Sequence, residues 1–308
     1  MENNSEMSAN QINFSLLCTC KNEKVDIKYL IQSIKNIDYP KEKFEILFAD
    51  DSDDETCDVI ENELKNSGLN WKIVKCNNYG CCDARNNGFK KTKGDYIVFL
   101  TADTILKSDY LKLLDIYKKD NQIIMPESSC LLPNSKISIF EKYSQSCHRL
   151  IIENMKKKSI LPLTSQGYCV SRKEAIEAGL ITTPPRGSQN YCKDFTLASK
   201  MIAKGSKYLF EKKLLVFHKQ PDNFRQFFKE KVLRGKMSRR FQIYEKYRNN
   251  QFIFIRSLIK FFMSSVFIPI KLIYAFYFSI IRKDIDFKSV FLLIFIDNFA
   301  FFIGEGFG

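Results

Sequence analysis

A parallel α/β sheet followed by a helical, membrane-associated C-terminal region is the fold class this sequence predicts. Three observations lead there. Short apolar runs alternate with stretches of helical periodicity between residues 13 and 125, the alternation that builds parallel strands joined by crossover helices. The runs end in polar clusters, Asn22-Glu23, Asp50-Asp51 and Thr101-Ala102-Asp103, and in such sheets ligands bind beyond the carboxyl ends of the strands. Past residue 204 the composition shifts: residues 204–248 hold 14 Lys/Arg against 4 Asp/Glu, and strongly apolar, aromatic segments follow.

Residues 13–20 (NFSLLCTC) form the first strand. Apolar positions 27, 30, 31 and 34 give residues 26–37 the single apolar face of an amphipathic helix. Residues 44–49 (FEILFA) are the second strand, and residues 53–65 a helix whose acidic start suits the positive end of the helix dipole. Residues 71–76 make a third strand, 84–90 a helix, and 96–100 (YIVFL) a fourth strand. Residues 126–200 are less regular, with helices at 139–153 and 173–178 and a Pro/Gly loop at 183–187. A helix at 194–204 is closed by Gly205. Residues 207–217 (KYLFEKKLLVF) are a strand or a strand pair. Phe224, Phe227, Phe228 and Val232 then mark an amphipathic helix with a cationic face. The chain divides into a polar tail (1–12), an α/β domain (13–222), the basic amphipathic helix (223–250) and apolar membrane-associated helices (251–308).

Composition sets further bounds. The 308 residues suffice for one large α/β domain plus an appendage. A hydrophobic share of 45% excludes global disorder, and 12 Gly and 8 Pro exclude collagen-like and Pro-rich chains. No two of the 10 cysteines have Cys-x-x-Cys spacing, so no zinc or redox motif is present. Residues 1–11 lack the apolar core of a secretory signal. The cysteines are therefore read as reduced, small, mostly buried residues.

In the tail, residues 261–281 are long enough to cross a bilayer, but Pro269 and Lys271 sit in the middle, and a central Lys is costly in lipid. Residues 289–303 are short and carry Asp297. In-plane or re-entrant helices fit this pattern better. A helical cap on the α/β domain and a dimer interface are the alternatives.

From residue 14 to about 240 the motifs resemble those of a family 2 glycosyltransferase of the GT-A fold, the Rossmann-like fold of nucleotide-diphospho-sugar transferases. The likeness is to the bacterial and archaeal type that builds cell-surface glycans. Thr19-Cys20-Lys21-Asn22-Glu23 is similar to P-T-x-N-E, and Ala49 to Thr56 (ADDSDDET) to V-D-D-x-S-x-D-x-T. Gly80 to Gly88 (GCCDARNNG) is similar to G-x-x-x-A-R-N-x-G, and Gly94 to Asp103 (GDYIVFLTAD) to G-D-Y-I-x-F-L-D-A-D. Lys193-Asp194-Phe195 with Ala203-Lys204-Gly205 resembles E-D-x-x-L…x-x-G, His218 ends a following strand, and residues 223–236 resemble F-x-x-Q-x-x-R-x-G. One such match is weak; the ordered set is specific.

The resemblance implies an inverting, metal-assisted enzyme at the cytoplasmic face of the cell membrane. It would move a sugar from a nucleotide-diphosphate donor, UDP-linked, to a glycan or lipid-linked acceptor, with no nucleic-acid partner. Thr19, Glu23, Asp50, Asp51, Arg85, Thr101 and Ala102 are the donor-nucleotide candidates. Acceptor groups at strand ends suit a base imide and ribose hydroxyls, and a guanidinium suits a diphosphate or a base-binding carboxylate. The carboxylates Asp50 and Asp51 also suit capping of the next helix, and Arg85 also suits an exposed helix face. Asp103 and His218 are the metal candidates, for Mg²⁺ or Mn²⁺, hard cations that take oxygen ligands and bridge phosphates; a lone strand-end histidine also suits a structural role. Thr101 stands where the family's metal motif has its first Asp, removing one charge. Asp194 is the candidate catalytic base, with a helix N-cap as the alternative role, and Lys193 departs from the family's acidic neighbour. Arg225 and Arg234 are candidates for the diphosphate of donor or lipid acceptor, or for a solvated or lipid-facing surface. Two other functions stay open: a catalytically inactive binding protein of this fold, and a nucleotidyltransferase.

Overall fold

The computed structural model describes residues 12–77, 79–129, 137–157, 166–182, 195–242, 250–266, 273, 276–277 and 285–307. They belong to two compact units: residues 1–129 with 161–218, and residues 130–160 with 219–308.

The first unit contains β1 (Phe14–Cys20), α1 (Ile27–Lys35), β2 (Phe44–Asp50), α2 (Thr56–Leu64), β3 (Trp71–Lys75), α3 (Cys81–Phe89), β4 (Tyr96–Thr101), β5 (Thr104–Leu106), α4 (Tyr110–Tyr117) and β6 (Gln122–Ser129). After α5 (Ile139–Lys157), which belongs to the second unit, it continues with β7 (Cys169–Ser171), α6 (Arg172–Glu177), α7 (Phe195–Ala203) and β8 (Lys207–His218). The eight strands lie in the order β3-β2-β1-β4-β7-β6-β8-β5.

Strands β1, β2 and β4 are apolar on both faces because both faces are covered. Phe14, Leu16, Phe44, Ile46, Phe48 and Val98 pack with Ile27, Leu30, Ile31 and Ile34 of α1 and with Ile60 and Leu64 of α2. On the other face Leu17, Leu47, Ala49, Ile97 and Phe99 meet Ala84 and Phe89 of α3, Ala175 of α6 and Leu197, Ala198 and Met201 of α7. Helix α3 reaches the sheet through Gly88, where an added Cβ would lie 2.5 Å from Leu17 Cδ1 and 3.0 Å from Ala49 Cβ. Gly88→Val is expected to destabilise the first unit by about 1–3 kcal/mol through overpacking, seen as a lowered midpoint in denaturant unfolding.

The parallel core of the sheet agrees with the sequence reading, but the whole sheet is mixed. Strands β5 and β7 run antiparallel to their neighbours, β5 to β8 and β7 to both β4 and β6. Their three residues each are too short to show a period of two. Strand β6 carries Pro126, where its parallel pairing with β8 shifts register, and a strand proline argues against a strand when only sequence is read.

The second unit contains α5, α8 (Phe224–Gln242), α9 (Asn250–Val266) and α10 (Phe287–Phe307). Helix α8 extends six residues beyond the motif that announced it. Its Gly235 and Gly304 of α10 mark a close backbone approach: a Cβ on Gly235 would lie 2.2 Å from the Phe301 carbonyl oxygen, and one on Gly304 1.9 Å from that of Val232. Phe227, Tyr143, Val290 and Leu293 form a small core between α8, α5 and α10. Lys231 does not join a cationic face but is buried, 3.4 Å from Asp297 and with its ammonium over the Phe227 ring. Helix α10 is longer than the 289–303 segment read from sequence and is long and apolar enough to cross a membrane. Its two carboxylates are both engaged: Asp297 also accepts from the Tyr143 hydroxyl at 3.1 Å, and buried Glu305 accepts from Ser238, Ser257 and Lys260. Most of the 261–281 segment lies outside the described residues.

Candidate active site

Parallel pairing sets the site. Cys20 is in register with Asp50, Thr19 with Thr101, and Asp50 with Lys75, so β1, β2, β3 and β4 end at one level. The polar residues after them therefore line one rim. Thr19, Glu23, Thr101 and Asp103 are half-buried there, and Ala102 is buried.

The two loops at this rim are fastened to each other. Asn22 adopts a φ of +58°, a left-handed conformation that asparagine tolerates better than most side chains. Its backbone N–H donates to Ser52 Oγ at 2.8 Å, and its Oδ1 accepts the Asp53 N–H at 2.9 Å. The Glu23 N–H donates to Thr56 Oγ1 at 2.9 Å. Asn22, Ser52 and Thr56 had no assigned role in the sequence reading; a motif asparagine beside a turn was their only signal.

Asp50 and Asp51 are consecutive at a strand end, so their side chains leave opposite faces. The Asp50 carboxylate is fully enclosed, and its Oδ2 accepts from the Lys75 ammonium and the Cys57 thiol, each at 2.9 Å. Burial disfavours the ionised form, but the contacts with Cys57, Ser52 and Lys75 outweigh it and leave the pKa lowered. Burial, with the neighbouring Asp50, pushes the Cys57 thiol up to about 11, so it stays a donor at neutral pH. A carboxyl with a lowered folded pKa adds stability above its unfolded value, near 3.8 here, and that stability is lost as pH falls through the folded pKa. Asp50→Asn is therefore expected to lower the melting temperature at neutral pH and to flatten its fall below about pH 4, measurable by thermal unfolding across that range. Asp51 is buried as well, and its N–H donates to the Cys20 carbonyl at 3.0 Å.

Arg85 is 1% exposed, which excludes the reading of an exposed helix arginine. Its neighbour Asn86 donates to the Ile181 carbonyl at 2.8 Å and accepts the Ile181 N–H at 3.2 Å, tying α3 to the segment after α6.

Asp103 and His218 are far apart in sequence and adjacent in space. The antiparallel register of β5 on β8 puts Thr104 opposite His218, and His218 Nε2 lies 2.8 Å from Asp103 Oδ2. Burial opposes ionisation of Asp103, but His218 and Thr101 outweigh it and hold the pKa down. Asp103 Oδ1 is buried with no hydrogen-bond partner among the described residues. Thr101 Oγ1 lies 2.9 Å from Thr104 Oγ1. One carboxylate and one imidazole thus stand together at the rim. Among the described residues no cluster of three or more metal-ligating side chains occurs. Such a donor pair fits a Mg²⁺- or Mn²⁺-type ion that completes its shell with phosphate oxygens and water rather than a closed protein cage.

Residues 15–178 match the family model described as "Glycosyl transferase family 2". The chain belongs to glycosyltransferase family 2. This glycosyltransferase is 29% identical over 110 residues to poly-beta-1,6-N-acetyl-D-glucosamine synthase of Staphylococcus epidermidis, a match covering 35% of the chain and 26% of that relative. The likeness thus spans about a quarter of the relative's length. The glycosyltransferase also resembles the crystal structure of S. aureus TarS 1-349, with a TM-score of 0.52 and 16% identity over 92% of the chain and 90% of TarS 1-349; TarS 1-349 has also been crystallised with UDP-GlcNAc. It resembles too the mannosyltransferase PcManGT from Pyrobaculum calidifontis in complex with GDP-Man and Mn²⁺, with a TM-score of 0.56 and 14% identity over 75% of the chain and 63% of the mannosyltransferase. At these identities the likeness is one of fold, and the fold is GT-A.

Asp194 and Lys193 lie outside the described residues of the glycosyltransferase, directly before α7. Arg225 is exposed on α8 of the second unit, and Arg234 is ion-paired with Glu230 one turn earlier.

Proposed function

We propose that this glycosyltransferase transfers a sugar from a UDP-linked donor, with inversion, to a glycan or lipid-linked acceptor at the cytoplasmic face of a membrane. The observation that carries the reading is the Asp103–His218 pair, set at the level rim where the parallel strands end. Thr19, Glu23, Asp51 and Thr101 accept from base and ribose, while enclosed Asp50 holds the ends of β2 and β3 and the start of α2 together beneath them. Arg85 supplies positive charge from α3 toward the diphosphate. Asp103 and His218 would hold Mg²⁺ or Mn²⁺, an ion that when bound would stabilise negative charge on the leaving diphosphate. Asp194, the residue before α7 in sequence, takes the proton of the acceptor hydroxyl. Arg225 and Arg234 remain candidates for a diphosphate contact.

TarS 1-349 and the mannosyltransferase were crystallised with UDP-GlcNAc and GDP-Man, whose bases both present a ring N–H that a carboxylate accepts. A thermal-shift series therefore tests the reading. UDP with Mn²⁺ is expected to raise the melting temperature more than UDP alone or CDP with Mn²⁺, since a ligand that binds only the folded state stabilises it by mass action. No shift with any nucleoside diphosphate overturns the donor assignment. Pyrophosphate release from a nucleoside triphosphate would instead establish a nucleotidyltransferase.

A further inference from the structure

We propose that α10 lies flat in an anionic membrane surface and does not cross it. The inference rests on the membrane reading above and decides the geometry of that attachment. Length and composition alone would let α10 span a bilayer. Its packing forbids it.

Helix α8 runs beside α10, in the same direction, for most of α10's length. Phe227 shares a core with Val290 and Leu293, Lys231 meets Asp297, Gly235 meets Phe301 and Gly304, and Ser238 and Arg239 meet Glu305 and Gly306. The contacts advance together along both helices for more than three turns. If α10 stood across a bilayer, α8 would stand beside it in the hydrocarbon. Yet the exposed positions of α8 include Arg225, Gln226, Lys229, Arg234 and Lys236, with only Phe224 and Leu233 apolar among its exposed residues whose burial is described. Several cations at membrane depth with lipid on their other side are not tolerated. The two helices are held together by the Lys231–Asp297 ion pair, by hydrogen bonds from Ser238 and Arg239 to Glu305 and Gly306, and by a glycine contact too close for any Cβ, so α10 does not leave α8 behind.

The opposite face of α10 is built for lipid. Phe291, Leu292, Phe295 and Phe299 are exposed along one stripe, at 36%, 57%, 47% and 40%. On α9, Ile255, Ile259 and Phe262 form a second stripe at helical spacing, at 53%, 56% and 58%. Phe261 joins the two stripes, its ring 6.5 Å from that of Phe295 and 5.9 Å from that of Phe299. An apolar face of this extent marks an interaction surface. Its occupant is an anionic bilayer, because the surroundings of the stripes are strongly basic: Lys288 is exposed on α10 itself, Arg225, Lys229 and Lys236 are exposed on α8, and residues 204–248 carry a net charge of +10. An apolar face edged by snorkelling Lys and Arg is the signature of a helix lying at the headgroup–acyl boundary.

Two measurements on the full chain test this. In flotation with phosphatidylcholine vesicles, added phosphatidylglycerol is expected to increase binding, and F291S/F295S/F299S to abolish it while the UDP–Mn²⁺ thermal shift is retained. Recovery of the wild-type chain in the soluble fraction, as a monomer or as a dimer of second copies on this face, overturns the membrane reading itself. Topology is read separately in sealed inside-out vesicles from expressing cells, using Lys288→Cys and Phe307→Cys at the two exposed ends of α10. A membrane-impermeant maleimide is expected to label both equally with and without detergent, above the background of the parent chain. If either position labels only after detergent, α10 crosses the bilayer and the inference falls while the membrane reading stands.

Discussion

Replacing Asp103 with asparagine is expected to lower sugar transfer by about 10²–10³-fold, the cost of removing one preorganised group that stabilises transition-state charge. Asparagine keeps the size of the side chain and a carbonyl oxygen that can accept from His218, so the β5–β8 pairing that carries Thr104 opposite His218 should persist. What it removes is the negative charge. On the proposed reading the loss should fall on kcat together with the Mn²⁺-dependent part of UDP binding, because the ion would bind together with the diphosphate. The check is a UDP thermal shift with and without Mn²⁺ on the purified variant, followed by a transfer assay. A variant that keeps both the Mn²⁺ increment and the transfer rate would show that Asp103 holds no metal. Thr101 makes this residue more exposed to loss than in relatives with two aspartates in the motif, since no second carboxylate stands in the Thr101-Ala102-Asp103 triplet to compensate.

The second large effect is expected at Asp194. Asp194→Asn keeps a helix-capping side chain ahead of α7 but removes the proton acceptor. Transfer should fall by about 10²–10⁴-fold, the usual share of general-base catalysis, while UDP–Mn²⁺ binding stays at the wild-type level. That split separates the base from the donor site: Asp103→Asn moves both readouts, Asp194→Asn only one. Transfer at a near wild-type rate in the asparagine variant would make Asp194 a cap and place the base elsewhere.

Much of the donor rim was legible because parallel strands convert sequence order into spatial level. Once residues 13–20, 44–49 and 96–100 are read as strands of a parallel sheet, the residues at and after their ends must share an edge, and Thr19, Asp51 and Asp103 do. The roles of individual rim residues were less legible. Asp50 and Asp51 are neighbours of identical chemistry, and only the strand pleat, with Lys75 and Cys57 on one side, makes Asp50 the enclosed one. Nothing in the sequence around Lys75 distinguishes it from any other lysine at the end of a strand. Arg85 had two readings, a partner for a diphosphate or carboxylate and an exposed helix arginine, and its burial removed the second.

By itself the sequence determined the parallel core, the rim, the family-like motifs and the switch from a mixed to a basic and then apolar composition. Each of these is local or periodic: a run of apolar residues, a turn, a charge count. Tertiary structure alone decided the contacts made between distant segments. The three-residue β5 and β7 exist only because β8 and β4 give them partners, and β5 in turn brings His218 to Asp103. Residues 130–160 group with the C-terminal unit although they interrupt the first. The tail shows the same division. Its sequence displays a basic helix and an apolar one as separate features, but the pairing of Lys231 with Asp297 and of Gly235 with Gly304 joins them side by side. A free apolar helix of that length could span a bilayer; one locked along a charged neighbour cannot, because the neighbour's exposed cations would have to enter the hydrocarbon with it.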